Sequence, residues 1–313
     1  MKTRNMFVYG FLGLGTLGCK SRDERMARVS SALDASVVAP RTVDNAMVIG
    51  DTSLMSNRNL AAGFPLRLGT QTRSVNDFLL SRGQFVISFN AESKVPAWTS
   101  WQVVASDLGA TARTDNFQSD QILNTYFEVK KRDVGVSPAD YKGTCFDRGH
   151  QAPSADRSNS TDDNSATFYM SNMAPQTSFL NRIIWKNLET YTRKLVRDDG
   201  RKLQIYSGTI LRDGREAMGP NKDIQVPEAF FKIVTVFKNE TETTPMGYIA
   251  VIMPNVTANG LDPMSEHATA CDEQQHGGSG TMAKKWDSYV VPLAEVEAKS
   301  GLRFPFLQNV AAL

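Results

Sequence analysis

Asp147-Arg148-Gly149-His150-Gln151-Ala152-Pro153-Ser154-Ala155-Asp156-Arg157 contains one of only three histidines in the chain, two residues after an arginine. A lone histidine is usually structural, so its surroundings decide what it means. Upstream, residues 84–90 and 98–104 carry the β-branched and aromatic side chains of strands, separated by a turn containing Pro96, which predicts a hairpin. Residues 167–173, 203–207, 229–237, 247–254 and 288–291 read as further strands, bounded by Gly, Pro or Asn. Residues 178–198 read as the main helix, with Ser178 as its N-cap and Gly200 as its stop. Within it Ile184, Leu188, Tyr191 and Leu195 fall at i, i+4, i+7 and i+11, a single apolar stripe. A shorter helix begins at Pro292 and stops at Gly301. Sheet is the main framework and the fold class is α+β.

On the long helix Asn181, Glu189 and Arg193 follow one another at steps of eight and four residues. At roughly 100° per residue these steps turn by only about 80° and 40°, so the three share a side that borders the apolar stripe. Residues 181–202 hold seven basic side chains against three acidic ones. Such a local excess suits phosphate, and a solvated face with i, i+4 ion pairs has the same pattern. The whole chain, with 35 Lys+Arg against 33 Asp+Glu, carries only +2, so any basic site must be local. Its 313 residues, 41% hydrophobic and 22% charged, have ordinary globular composition, which excludes collagen-like, mucin-like and wholly disordered classes.

Lys2 and Arg4 precede an apolar run over residues 6–17, too short for the roughly 20 residues that span a bilayer. Residues 1–19 therefore read as a signal peptide. The run ends Thr16-Leu17-Gly18-Cys19, which resembles the bacterial lipoprotein cleavage box, where the Cys becomes the lipidated first residue. Thr16 stands where that box usually has Leu, and both a lipid at Cys19, the one membrane attachment expected, and release as a free protein stay open. The expected location is outside the cytoplasm: an outer-membrane or cell-surface lipoprotein, or a secreted or periplasmic protein. Residues 20–64 have no aromatic residue before Phe64 and read as a disordered tether, leaving residues 65–313 as the folded domain. With Cys19 set aside, Cys145 and Cys271 are the remaining thiols, and in an exported chain two cysteines predict a disulfide.

Hydrolysis of a phosphodiester needs a base of near-neutral pKa for the water proton, cations for the charge on phosphorus, and often a divalent ion at the leaving oxygen. His150 and Arg148 could supply the first two, and Asn181 and Glu189 offer oxygens suited to a hard ion. The string around Asp147-Arg148-Gly149-His150 resembles the signature of the DNA/RNA non-specific endonucleases, the sugar-non-specific branch of the ββα-metal nucleases. Phe168-Tyr169-Met170-Ser171-Asn172-Met173-Ala174-Pro175-Gln176 is similar to that family's strand before the metal helix, and Asn181, Trp185, Leu188 and Glu189 match the helix. Residues 96–102 and Arg113-Thr114-Asp115-Asn116-Phe117 resemble its leading hairpin and isolated phosphate-binding arginine. Val226-Pro227, Phe230-Phe231-Lys232, Met253-Pro254-Asn255 and residues 297–306 keep its pattern downstream, so the resemblance runs from about residue 68 to 307.

The resemblance implies a ββα-metal nuclease fold, a central antiparallel sheet with flanking helices, acting on both DNA and RNA. It implies His150 as general base and Asn181 as the one direct protein ligand of Mg2+, or of Mn2+, with waters filling the other positions. Glu189 would hold those waters. Arg113, Arg148 and Arg193 match arginines that contact phosphate or stabilise the transition state, and Asn172 matches a residue that orients the site. Asp147 reads as a structural partner of a nearby cation or backbone group. If unperturbed, His150 would have a pKa of about 6.5 and activity would fall as pH drops through that value. Residues 259–285 depart from the compact family pattern. A zinc site can be drawn from their His267, Cys271 and His276, but the spacing fits no strong motif and the segment reads as a surface loop. The alternative to an enzyme is a catalytically inactive surface protein that binds nucleic acid. His150 and Asn181 together separate the two, since a binder needs neither base nor metal ligand.

Overall fold

The computed structural model describes residues 47–50, 52–67, 77–123, 135–214 and 217–313. The expected signal peptide, Cys19 and the first part of the tether lie outside the described residues. Among those described, no helix is long and apolar enough to cross a membrane.

Seven strands form the central sheet: β1 (Met47–Gly50), β3 (Asp77–Ser81), β4 (Val86–Asn90), β5 (Val95–Val103), β8 (Lys202–Ile210), β11 (Ala229–Phe237) and β12 (Pro245–Pro254), in the order β1-β3-β4-β5-β8-β11-β12. Every neighbouring pair is antiparallel except β1 with β3, which is parallel. The expected hairpin is β4–β5, but Pro96 lies inside β5 rather than in the turn, next to a bulge where the register slips between Ser88 and Phe89. A residue without N–H is tolerated where the ladder is already interrupted. Two short antiparallel pairs flank the sheet: β2 (Leu66–Arg67) with β13 (Leu302–Arg303), and β9 (Ala217–Met218) with β10 (Ile224–Gln225).

The tether is shorter than its composition suggested. Met47–Gly50 pairs with residues 78–81, and Asn57 and Asn59 are buried. The Asn59 carbonyl accepts from Ser100 Oγ at 2.5 Å and Gln204 Nε2 at 2.6 Å, and its Oδ1 accepts from the Gln102 amide at 3.0 Å. A segment lacking aromatic residues joins the fold here through hydrogen bonds, which an apolar count does not detect.

Strand alternation gives the sheet two buried faces. Leu203, Ile205, Phe230, Val234 and Trp101 point to one core, while Tyr206, Phe231 and Ile233 meet Phe304 and Leu307 in the other. The second face carries the helix Leu293–Ser300, which ends at Gly301 with φ 67°, the left-handed stop expected from the sequence.

The first face carries the ββα unit. β6 (Asp147–His150) pairs antiparallel with β7 (Met173–Gln176), Asp147 opposite Gln176 and His150 opposite Met173. A Cβ on Gly149 would lie 2.2 Å from the Gln176 side chain, so only glycine fits between the motif arginine and histidine. The chain then turns through a wide π turn, Leu180–Trp185, into the helix Lys186–Arg197. The cap is Thr177 rather than Ser178: its Oγ1 accepts from the Leu180 amide at 3.2 Å and its carbonyl from the Asn181 amide at 2.9 Å. Ile184, Leu188 and Val196 are buried, with Tyr191 and Leu195 at the margin.

Two expected strands are not formed as such. Within residues 167–173, Met170–Asn172 is a 3-10 turn, because the Asn172 side chain captures backbone groups that a ladder would need. Trp286–Tyr289 is likewise a 3-10 turn, followed by a single bridge from Val290 to Val251. The expected surface loop over residues 259–285 contains a ten-residue helix, His267–His276. The predicted disulfide joins Cys145 to Cys271 and fastens that helix to the approach of β6. His267 is the third member of a compact Cys145, His267, Cys271 group, and both its sulfurs are committed to the bridge.

Candidate active site

β6 ends on His150, whose ring lies edge-on to Phe168 and Phe117 with centroids 4.9 and 5.6 Å away. Phe117 also carries the Arg148 guanidinium, 3.9 Å above its ring, and Arg113 stacks 4.7 Å from the centre of Phe168. Two cations and one imidazole thus share a pair of phenyl rings. His150 is 8% exposed, and its Nε2 has no hydrogen-bond partner. Burial first, then the Arg113 charge and that of Arg148, push its pKa down to about 3, against a backbone hydrogen bond to Arg148 that raises it. The free protein therefore holds His150 neutral far below the pH at which an exposed imidazole would charge.

Arg113, Phe117, Arg148 and Asn181 line one open groove of about 670 Å3. Asn181 Nδ2 donates to Asp147 Oδ2 at 3.0 Å, which fixes the amide, and its Oδ1 makes no hydrogen bond among the described residues. Asp147 is fully engaged: Arg182 grips it with two bonds of 2.7 Å, and Gln274 from the cross-linked helix approaches at 3.4 Å. Its structural role matches the reading from sequence. One fixed neutral oxygen, beside a carboxylate already neutralised by arginine and with room for water, is a donor set that fits a hard, hydrated divalent ion.

Apart from the residues that line this groove, the same helix builds a second set of charges. Arg193 Nη1 is 3.0 Å from Asp156 Oδ1, and Trp101 Nε1 donates to Asp156 Oδ2 at 2.9 Å. Glu189 Oε1 lies 3.5 Å from Lys232 Nζ. Burial raises the Glu189 pKa, with Lys232 and Arg193 drawing it back down and Asp156 adding to the rise. Glu189 and Arg193 are thus in each other's company as their spacing implied, but each is held by a partner from elsewhere, and neither lines the groove. Asn172 is fully buried; its amide donates to the Ala152 and Thr167 carbonyls at 2.8 and 2.9 Å and accepts from the Ala152 amide at 3.0 Å. It braces the chain just after His150 and has no atom free for a substrate.

Asp156, Trp101, Phe168 and Lys232 were not singled out for the site from sequence. Of these only Lys232 left a signal, a lone charge in an otherwise apolar strand pattern.

The architecture and the sequence have known counterparts. A nuclease of Nostoc sp. is 35% identical over 241 residues, 75% of this chain and 75% of the relative. A nuclease of Serratia marcescens is 30% identical over 216 residues, covering 67% and 74%, and the mitochondrial endonuclease G of Homo sapiens is 26% identical over 237 residues, covering 72% and 69%. The EndoG/EndoGI complex, a structure described as showing the mechanism of EndoG inhibition, contains a chain that superposes with a TM-score of 0.59, 22% identity and coverage of 82% of this chain and 94% of that one, a likeness of fold. The profile of the DNA/RNA non-specific endonucleases matches residues 67–313, from the second strand to the last residue. Because that span encloses the whole ββα unit and six of the seven strands of the central sheet, the chain belongs to the DNA/RNA non-specific endonuclease family.

Proposed function

We propose that the protein hydrolyses phosphodiester bonds of both DNA and RNA, with Mg2+ or Mn2+ at Asn181 and His150 as the general base. The observation that carries this reading is the unpartnered, buried Nε2 of His150, whose ring packs on the same two phenyl rings as Arg113 and Arg148. His150 does not itself line the groove, but those two arginines do, together with the fixed amide of Asn181. Arg113 and Arg148 bind the phosphate anion in that groove. The arriving negative charge offsets the two cations that depress His150, so substrate binding raises the proton affinity of the imidazole and readies it for the water proton. When bound, the divalent ion supplies positive charge against the phosphate and the leaving oxygen. Asn181 would hold it through Oδ1, and Glu189 and Arg193, through their pairs with Lys232 and Asp156, would steady the helix and turn that carry Asn181. Contacts made by guanidinium groups and a metal ion go to phosphate and carry no base information, which suits a substrate range covering both sugars.

The test is cleavage of supercoiled plasmid and of RNA by the wild type, by an EDTA-dialysed sample and by His150→Ala. EDTA is expected to abolish cleavage and Mg2+ to restore it, with His150→Ala inactive but still binding. Full cutting after dialysis would overturn the metal, and full cutting by His150→Ala would overturn the base. Export, with or without lipid at Cys19, is part of the same proposal; the disulfide between Cys145 and Cys271 supports an oxidising destination.

A further inference from the structure

Lys232 lies in β11, whose other eight residues are apolar except for Thr235. Only 1% of it is exposed. Strand alternation turns it, with Phe230 and Val234, toward the face that carries the ββα unit. Its Nζ is 3.5 Å from Glu189 Oε1, 3.9 Å from the centre of the Trp185 ring and 5.6 Å from that of Trp101. Trp185 in turn donates its indole N–H to the His150 carbonyl at 3.3 Å. Trp101 holds Asp156, the partner of Arg193. One buried ammonium is therefore in direct contact with Glu189 and with the ring that anchors the end of β6.

Stability is a poor reason for a lysine here. Taking an ammonium and a carboxylate out of water costs more than their attraction commonly returns, and apolar replacements of a buried pair are often neutral or stabilising. We propose that Lys232 is a positioning residue of the nuclease reaction: its ammonium fixes the Glu189 carboxylate in place and, through the face of Trp185, the strand end that bears His150. The inference rests on the reading of Glu189 and His150 as working parts of the site. Lys232 itself touches no substrate.

Lys232→Met keeps an unbranched stem between the two indoles and removes the charge, Lys232→Arg restores a cation, and Glu189→Gln removes the group through which the charge is proposed to act. The experiment measures kcat and KM on an oligonucleotide, Mn2+ affinity by titration calorimetry, and melting temperature for the wild type, these three variants and the Lys232→Met/Glu189→Gln double variant. Lys232→Met is expected to lose about 10- to 100-fold in kcat with little change in KM and to bind Mn2+ more weakly. It should melt lower because Glu189 is left unpaired, whereas the double variant, which removes the pair as a pair, should melt no lower than the wild type. Lys232→Arg should recover part of the loss. In the Glu189→Gln background, Lys232→Met should cost almost nothing more. Wild-type kcat in Lys232→Met, or a full multiplication of the two losses in the double variant, would overturn the proposal. If Lys232→Met does not fold because Glu189 is left unpaired, the double variant, which removes the pair as a pair, carries the comparison with Glu189→Gln alone: equal kcat supports the proposal and a further tenfold fall overturns it. Cleavage by the wild type, read in the same series, tests the underlying endonuclease reading on its own.

Discussion

His150→Ala is expected to lower kcat by about 10²- to 10⁴-fold, the usual worth of a positioned general base, while leaving oligonucleotide affinity within a small factor. The pH dependence follows from the depressed pKa of that ring. The base must be neutral, so activity falls as pH drops through its pKa. In the free protein that value is about 3, well below the 6.5 of an unperturbed histidine, so the acidic limb of kcat/KM set by His150 belongs below pH 5. In the complex, phosphate offsets Arg113 and Arg148, so the corresponding limb of kcat should lie at higher pH than that of kcat/KM. Coincident limbs would show that phosphate does not reach those guanidinium groups. The same ring affects stability. Between pH 6.5 and about 3 the unfolded chain binds a proton at His150 that the folded chain refuses, so stability present above the unfolded value is lost as pH falls through this window. The slope from one such group is at most about 1.4 kcal/mol per pH unit, and urea titrations of the wild type and His150→Phe at several pH values should differ accordingly.

Among the elements, the helix Lys186–Arg197 and the turn before it matter most, because they place Asn181, Trp185, Glu189 and Arg193 together. Its seating depends on the apolar stripe. Leu188 is fully buried, and Leu188→Ala is expected to cost about 2–5 kcal/mol of stability in urea or thermal unfolding. That stripe was legible because period 3.6 needs no tertiary information. The Thr177 cap and the π turn were not, since both depend on how the helix meets β7. The disulfide is a second element-scale device. It closes a separation of 126 residues and holds the helix His267–His276, with Gln274, against Asp147 at the groove. Replacing Cys145 and Cys271 together with serine is expected to lower unfolding free energy by about 2–5 kcal/mol. The same variant should be insensitive to added thiol reductant, whereas the wild type should shift toward it. The strand expected over residues 167–173 failed because strand propensity cannot foresee an asparagine whose side chain takes three backbone partners.

At the scale of the whole molecule, a net charge of +2 gives no general attraction for a polyanion, so binding must come from the groove and its arginines. Binding of inactive His150→Ala to duplex DNA and to RNA is therefore expected to weaken linearly in log–log plots against salt. Arg113 and Arg148, as two contacts, imply a slope of about −2 for duplex, at roughly −0.9 per neutralised phosphate. Arg148→Gln should reduce that slope by about 1 on either nucleic acid. A slope unchanged by this substitution would remove Arg148 from the phosphate-binding surface.

The sequence by itself determined the α+β class, the position of most of the main strands, the apolar seam of the ββα helix and the partnership of Cys145 with Cys271, and its family resemblance singled out His150, Arg148, Arg113 and Asn181 as candidates. The first four follow from local periodicity and a small count of thiols, and the candidate residues from the resemblance. Tertiary structure alone decided that the folded unit takes in residues 47–50 and 52–64, that Asp147 belongs to Arg182, that Arg193 belongs to Asp156, and that Lys232 belongs to Glu189. Each of these joins groups 35 or more residues apart or rests on hydrogen bonds that no hydrophobic pattern records. Charge pairing and burial depend on distance in space, and distance exists only once the chain has folded.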